Sequence, residues 1–145
     1  MINLSEEMKT HGQIVLVLQG GGALGAYQAG VYQAMHETGI DPDWVIGTSI
    51  GAINASIIAG NMRDRCLERL REFWVRVEQH DLFGPPDHWF GQLTRNMHTI
   101  SMGLPAFFKP NVQAFMNPHT RLGPENAAYY SVEPLRETLS DLVDF

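Results

Sequence analysis

Apolar residues along this chain change spacing several times, and the changes outline its elements. Ile14-Val15-Leu16-Val17-Leu18 is an unbroken apolar run that stops at a glycine cluster, the pattern of a strand buried on both faces of a parallel sheet. A helix is predicted next, from Gly22 or Gly25 to Glu37 and closed by Gly39. Val31, Ala34 and Met35 lie on one side of it, while Ala26, Ala29 and Gly30 permit close approach. Trp44-Val45-Ile46 predicts a second short buried strand. From Ser49 to Ala59 nearly every position is apolar or small, which predicts a helix in the domain centre. Residues 62–77 read as an amphipathic helix, with Met62, Cys66, Leu70, Phe73, Trp74 and Val77 on one face and a solvated Arg and Glu surface opposite.

Beyond His80 the periodicity disappears among Pro85, Pro86, Pro105, Pro110, Pro118 and Pro124. Residues 81–131 are therefore expected to be irregular, with a short helix near 90–97. Order is predicted to resume over 132–145, where Ser131 caps a helix, Pro134 sits in its first turn, and Leu135, Leu139, Leu142 and Val143 form its stripe. Strand, helix, strand, helix is the order of an α/β fold with a parallel sheet. Two strands are fewer than the roughly four to six such a sheet usually holds. Residues 13–145, after a tail of 1–12, are thus expected to be the N-terminal part of a larger domain, and an incomplete sheet predicts self-association or docking of the remaining part.

Composition narrows the function classes. With 145 residues, 44% of them hydrophobic and 18% charged, the chain is an ordinary globular sequence. A net charge of −6 argues against nucleic acid as a partner, since phosphate binding needs a basic face. The single cysteine, Cys66, lies among Leu67, Leu70 and Phe73 and is read as core. The N-terminus carries Glu6, Glu7 and Lys9 with no apolar run behind them, so no signal peptide is expected and a cytoplasmic location follows. Gly12 to Met35 and Trp44 to Met62 are uncharged stretches as long as a membrane span, but polar residues and glycines interrupt both. No Cys/His cluster has ligand spacing, so no metal or organic cofactor is expected.

The candidate chemistry sits at the ends of the two predicted strands. Gly47-Thr48-Ser49-Ile50-Gly51 is a Gly-x-Ser-x-Gly between strand and helix, a context that can present a serine hydroxyl as a nucleophile. Flanking glycines are needed there because side chains would collide with neighbouring backbone. Gly20-Gly21-Gly22-Ala23-Leu24-Gly25 follows the first strand and can supply backbone N–H groups for an oxyanion, with Ile50 adding one more. Two other readings compete. A serine at this place can simply cap a helix. Gly20, Gly22 and Gly25 also fit a dinucleotide fingerprint, with Asp41 or Asp43 about 20 residues on. Those acids precede the second strand, however, whereas the fingerprint's acid stands at its C-terminal end.

Taken together, Gly20-Gly21-Gly22-Ala23-Leu24-Gly25-Ala26-Tyr27-Gln28-Ala29-Gly30-Val31 and Gly47-Thr48-Ser49-Ile50-Gly51-Ala52-Ile53-Asn54-Ala55 closely resemble bacterial patatin-like phospholipases. The similarity is strong over about residues 13–60. The resemblance implies a three-layer α/β/α sandwich, hydrolysis of lipid acyl esters, and a Ser-Asp dyad without histidine. Under it, Ser49 aligns with the nucleophile and the loop from Gly20 to Gly25 with the oxyanion hole. It also implies a lipid or acyl-ester substrate and peripheral contact with a membrane.

Two departures from the family pattern stand out. Many members carry Arg or Lys where this chain has Leu24, a change expected to alter local charge only, because the oxyanion donors are backbone groups. The family's catalytic Asp lies in an Asp-Gly-Gly or Asp-Gly-Ala motif, and none of Asp41, Asp43, Asp64, Asp81, Asp87, Asp141 and Asp144 precedes a glycine. The dyad's Asp is therefore expected outside this chain, which alone would be inactive. His36, His80, His88, His98 and His119 are the candidates for a substitute base, and each is read as a surface or packing residue. The alternative function is a non-catalytic patatin-like module that binds lipid or a partner chain. Met102-Gly103-Leu104-Pro105-Ala106-Phe107-Phe108 is either an apolar lid for Ser49 or a loop packed on the sheet.

Overall fold

The computed structural model describes residues 7–8, 10–81, 107–111, 123 and 128–144. The chain forms two compact units, Met1–Trp74 with Leu142–Phe145, and Val75–Asp141. In the first unit, strand β1 (Val15–Leu18) leads through a short 3-10 turn (Gly22–Leu24) into helix α1 (Gly25–Glu37). Strand β2 (Trp44–Gly47), helix α2 (Ile50–Ala59) and helix α3 (Arg63–Asp81) follow, the division between the units falling within α3.

β1 and β2 pair in parallel, from Val15 against Trp44 to Leu18 against Gly47. Parallel neighbours cannot be joined by a tight turn, and α1 is the crossover between them. This is the α/β arrangement predicted from the element order. The pairing is secured beyond both ends of the ladder. Ile14 N donates to Asp43 Oδ2 at 2.7 Å and Asp43 N to the Ile14 carbonyl at 2.8 Å. At the opposite end Thr48 N donates to the Leu18 carbonyl at 3.0 Å.

Two details of the strands and α1 differ from expectation. β1 alternates instead of being buried throughout: Leu18 is buried, but Val15 and Val17 are exposed. The register places Trp44 and Ile46 on the same face, and these are exposed too. An apolar run reports that a strand is suited to two covered faces, and in this chain only the Leu18 side is well covered. In α1 the buried stripe is Gly25, Gln28 and Tyr32, not the side of Val31, Ala34 and Met35. Close approach selects that face. A Cβ on Gly25 would stand 2.5 Å from Ile50 Cγ1 and 2.7 Å from Trp74 Cζ2, so this side of the helix meets its neighbours where only hydrogen fits.

α2 is apolar nearly all round, as predicted, and buries Ile50, Gly51, Asn54, Ala55, Ile57 and Ile58. α3 inserts Cys66, Leu70 and Phe73 into the core of the first unit, each 2% exposed or less. Phe73 and Trp74 pack edge to face with centroids 5.4 Å apart. Met62, assigned by periodicity to the apolar face, lies just ahead of the helix and is exposed. The turn between α2 and α3 holds the end of the chain: Asn61 Nδ2 donates to the carbonyls of Ile57 and Leu142, both at 2.8 Å, and Asp144 N donates to the Gly60 carbonyl. Leu142 and Val143 are buried there.

In the second unit, β3 (Lys109–Pro110) pairs antiparallel with β4 (Tyr130–Ser131). A two-residue pairing has no periodicity to read, which is why it was not expected. α4 (Glu133–Leu142) starts two residues after Ser131, whose Oγ accepts from Glu133 N at 3.2 Å, and Pro134 stands in the first turn as predicted. Phe107 is buried and meets Phe108 edge to face. The helix expected near 90–97 and residues 102–106 of the apolar segment lie outside the described residues. Among the described residues no helix is long and apolar enough to cross a membrane.

Candidate active site

Among the described glycines, those of the turn from β2 into α2 leave the least room for a side chain. Ser49 has φ 54° and ψ −124° and is the only non-glycine residue with positive φ among those described. Such a conformation costs a side-chain-bearing residue about 1–3 kcal/mol, so the surroundings must enforce it. They do so through backbone contact. A Cβ on Gly47 would lie 2.5 Å from the Gly51 carbonyl carbon and 2.6 Å from Ala52 Cα. One on Gly51 would lie 2.6 Å from the Leu18 carbonyl carbon and 2.7 Å from the Gln19 oxygen. Both glycines of the pentapeptide are thus required by packing, and Gly51 N to the Thr48 carbonyl, at 3.0 Å, closes the turn.

Ser49 occupies the N-cap position of α2, yet its hydroxyl makes no capping hydrogen bond. An N-cap serine ordinarily has extended backbone angles and uses its oxygen on the next N–H groups. Neither holds here, so the capping role that competed for this residue is unfilled. The side chain is exposed at the positive end of a ten-residue helix, which favours negative charge developing on its oxygen.

The glycine loop begins beside it. A Cβ on Gly20 would come within 3.2 Å of Ser49 Cβ and 4.0 Å of its Oγ. Gly21 (φ 148°) and Gly22 (φ 57°) turn the chain through angles that L-residues rarely adopt, and Leu24 N closes onto the Gly21 carbonyl at 3.2 Å. Among the described residues, the N–H groups of Gly20, Gly21, Gly22, Ala23 and Ile50 have no acceptor within the chain. Unsatisfied donors at a helix start and a glycine turn are suited to binding an anion. Leu24, the position where the resemblance has a basic residue, is exposed.

Behind these two turns lies a buried polar chain that the sequence reading did not single out. Trp74 Nε1 donates to Asn54 Oδ1 at 3.1 Å. Asn54 Nδ2 donates to the Gly25 carbonyl at 3.0 Å and to Gln28 Oε1 at 3.1 Å, and Gln28 Nε2 donates to the Gln19 carbonyl at 2.7 Å. Asn54 is fully buried and Gln28 nearly so. The one available signal was a lone amide in a helix of isoleucines and alanines, where an unpartnered polar group would be costly.

The other candidates are placed elsewhere. Asp43 binds Ile14 N, and Asp41 pairs with Arg63 at 2.9 Å. Asp43 thus serves the start of the strand pair, whereas the glycine loop leaves its far end, and the dinucleotide reading loses its acid. His36 is eleven residues beyond Gly25 on α1, about 17 Å along the helix axis, so it is no base for Ser49. His88, His98, His119 and the His80 side chain lie outside the described residues. Cys66 is core, as expected. Its thiol faces the carbonyls of Ile58, Asn61 and Met62 at 3.1 to 3.3 Å, and burial raises its pKa. Tyr32 is 2% exposed, and burial, with the Cys66 thiol adding to it, pushes the phenol far above its ordinary range.

Comparison with known proteins places the chain among lipid-acting families by sequence. The family described as patatin-like phospholipase matches residues 16–145. A triacylglycerol lipase of Schizosaccharomyces pombe is 39% identical over 64 residues, covering 44% of this chain and 13% of that protein. A lysophospholipase of Aspergillus terreus is 54% identical over 44 residues, 30% of this chain and 3% of that protein. Patatin-like phospholipase domain-containing protein 7 of Mus musculus is 46% identical over 93 residues, 64% of this chain and 6% of that protein. The chain therefore spans a small fraction of the length of these curated relatives, all eukaryotic, and the bacterial branch of the resemblance finds no counterpart among them. No solved structure matches the chain.

Proposed function

The chain belongs to the patatin-like phospholipase family, and from that premise we propose that it carries the nucleophile half of a serine acyl-ester hydrolase acting on lipids. Ser49 attacks the ester carbonyl, and N–H groups of the loop from Gly20 to Gly25, together with Ile50, hold the oxyanion of the tetrahedral intermediate. The observation that carries this reading is the Ser49 turn: a strained serine whose hydroxyl is free of capping, next to a glycine loop with unused donors. Relatives named as a triacylglycerol lipase and a lysophospholipase support a lipid acyl ester as substrate. A lipid substrate held in a bilayer also implies peripheral contact with the membrane.

The proton of Ser49 has to go to a base. No Asp of these 145 residues precedes glycine, so the dyad's Asp is assigned to sequence beyond them. The same observation favours a second reading for these residues taken alone, a lipid- or partner-binding module without turnover. Both are tested by hydrolysis of p-nitrophenyl and phospholipid esters, comparing the natural full-length protein, its Ser49→Ala variant and the 145-residue chain. Turnover lost in the variant and absent from the short chain supports the divided site. Turnover by the variant at the wild-type rate rules out Ser49. No turnover of any ester by the full-length protein leaves the binding module.

A further inference from the structure

Asn54, Gln28 and Trp74 form one directed network of hydrogen bonds that starts at the Trp74 indole and ends on the two carbonyls flanking the glycine loop, those of Gln19 and Gly25. The amide orientations are fixed by their partners. Indole N–H is a donor only, so the Asn54 oxygen must face Trp74, and its nitrogen is left for the Gly25 and Gln28 acceptors. Gln28 then presents its own nitrogen to the Gln19 carbonyl. Gln19 is the residue before the loop and Gly25 the residue that closes it. Asn54 stands on α2, five residues after Ser49, on the helix whose start carries the serine.

We infer that Asn54 is a positioning residue for the reaction proposed above: it fixes the glycine loop at both ends to the nucleophile's own helix, so that the loop's free N–H groups converge on the Ser49 side chain. The inference rests on the Ser49 reading but concerns a different set of atoms. The loop itself needs such an anchor. Its N–H groups from Gly20 to Ala23 make no bonds within the described chain, and its glycines supply no side-chain packing. Oxyanion stabilisation depends on donors held in place before the charge develops. Here the loop's ends are held by a buried, low-dielectric amide network in which each bond polarises the next.

The test is ester turnover by the natural full-length protein, with active sites titrated by a fluorophosphonate so that rates are expressed per competent site. Leu70→Ala, a core truncation on α3 that removes none of the network's hydrogen bonds, is the control for general destabilisation. Asn54→Ala should lower kcat per titrated site about 100-fold, the scale of a misplaced oxyanion donor, with KM changed less than about threefold. Trp74→Phe, which removes the indole donor and keeps an aromatic ring, should lower kcat about tenfold and carries the test if Asn54→Ala does not fold. Leu70→Ala should lower thermal stability while leaving kcat per site within about threefold of wild type. Equal kcat per site in the network variants and the control would overturn the positioning role and leave Ser49 untouched. Undiminished turnover in Ser49→Ala would instead remove the underlying reading.

Discussion

The first unit makes the same move twice, a parallel strand running into a glycine-bearing turn and then a helix, and the two turns are built on different physics. The β2–α2 turn is sterically closed: Gly47 and Gly51 lie where added methyls would strike backbone, and that compression forces Ser49 to positive φ. The β1–α1 turn is conformationally set and, between its tightly packed ends at Gly20 and Gly25, sterically open. A Cβ on Gly22 would meet nothing within 4 Å, and Gly21 would meet only the Leu24 side chain. A closed turn holds one atom rigidly, as a nucleophile requires. An open one leaves several N–H groups accessible, as an anion site requires, and depends on the Asn54 network for its rigidity.

Removing the hydroxyl is the largest perturbation of this contrast. Ser49→Ala should reduce ester turnover by at least about 10⁴-fold while leaving thermal stability equal to or above wild type, because it deletes no hydrogen bond and keeps the backbone. Activity assay and thermal melt on one sample check both halves. Next in size, Gly51→Ala should destabilise the fold by about 3 kcal/mol or more, since backbone atoms of β1 have nowhere to move. Gly22→Ala, at φ 57° in open space, should cost only about 1 kcal/mol. Urea unfolding of the two variants measures the difference directly, and similar losses would erase the distinction between the turns.

How much of this was legible in the sequence follows from the same contrast. Both turns were readable because glycines at fixed offsets between an apolar strand and a helix mark backbone requirements, even where, as at Gly51, the contact that imposes the requirement comes from another strand. The strand pairing and α2, α3 and α4 followed from apolar spacing. What resisted reading depends on which surfaces meet. The buried face of α1 was not legible because its small residues give hydrophobicity little direction, and contact of Gly25 with Ile50 and Trp74 decides the face. Asn54, Gln28 and Trp74 lie on three helices and acquire meaning only once those helices pack. The exposure of Val15, Val17, Trp44 and Ile46 was hidden too, because an apolar run reports suitability for burial and not the presence of cover.

The smallest expected effect lies away from both turns. Cys66 and Tyr32 are buried in their protonated forms and ionise in the folded chain only above the 9.0 and 10.0 at which they ionise when free. The unfolded state therefore loses protons first as pH rises. Their contribution is fully present below about pH 8.5 and lost progressively above pH 9 to 10. Melting temperature followed from pH 7 to pH 10.5 should fall over that upper window. In Tyr32→Phe the fall should be shallower, and an unchanged slope would show that the phenol is not the group involved. Ser49, outside this cluster, should have no effect on the slope.

One atom, the Ser49 oxygen, carries the proposed hydrolysis. Treating the natural full-length protein with a fluorophosphonate and mapping the adduct by peptide mass spectrometry tests it most directly. The prediction is a single stoichiometric adduct on the peptide containing Gly47-Thr48-Ser49-Ile50-Gly51, absent from Ser49→Ala. An adduct on any other residue, or the same labelling in the variant, would contradict it.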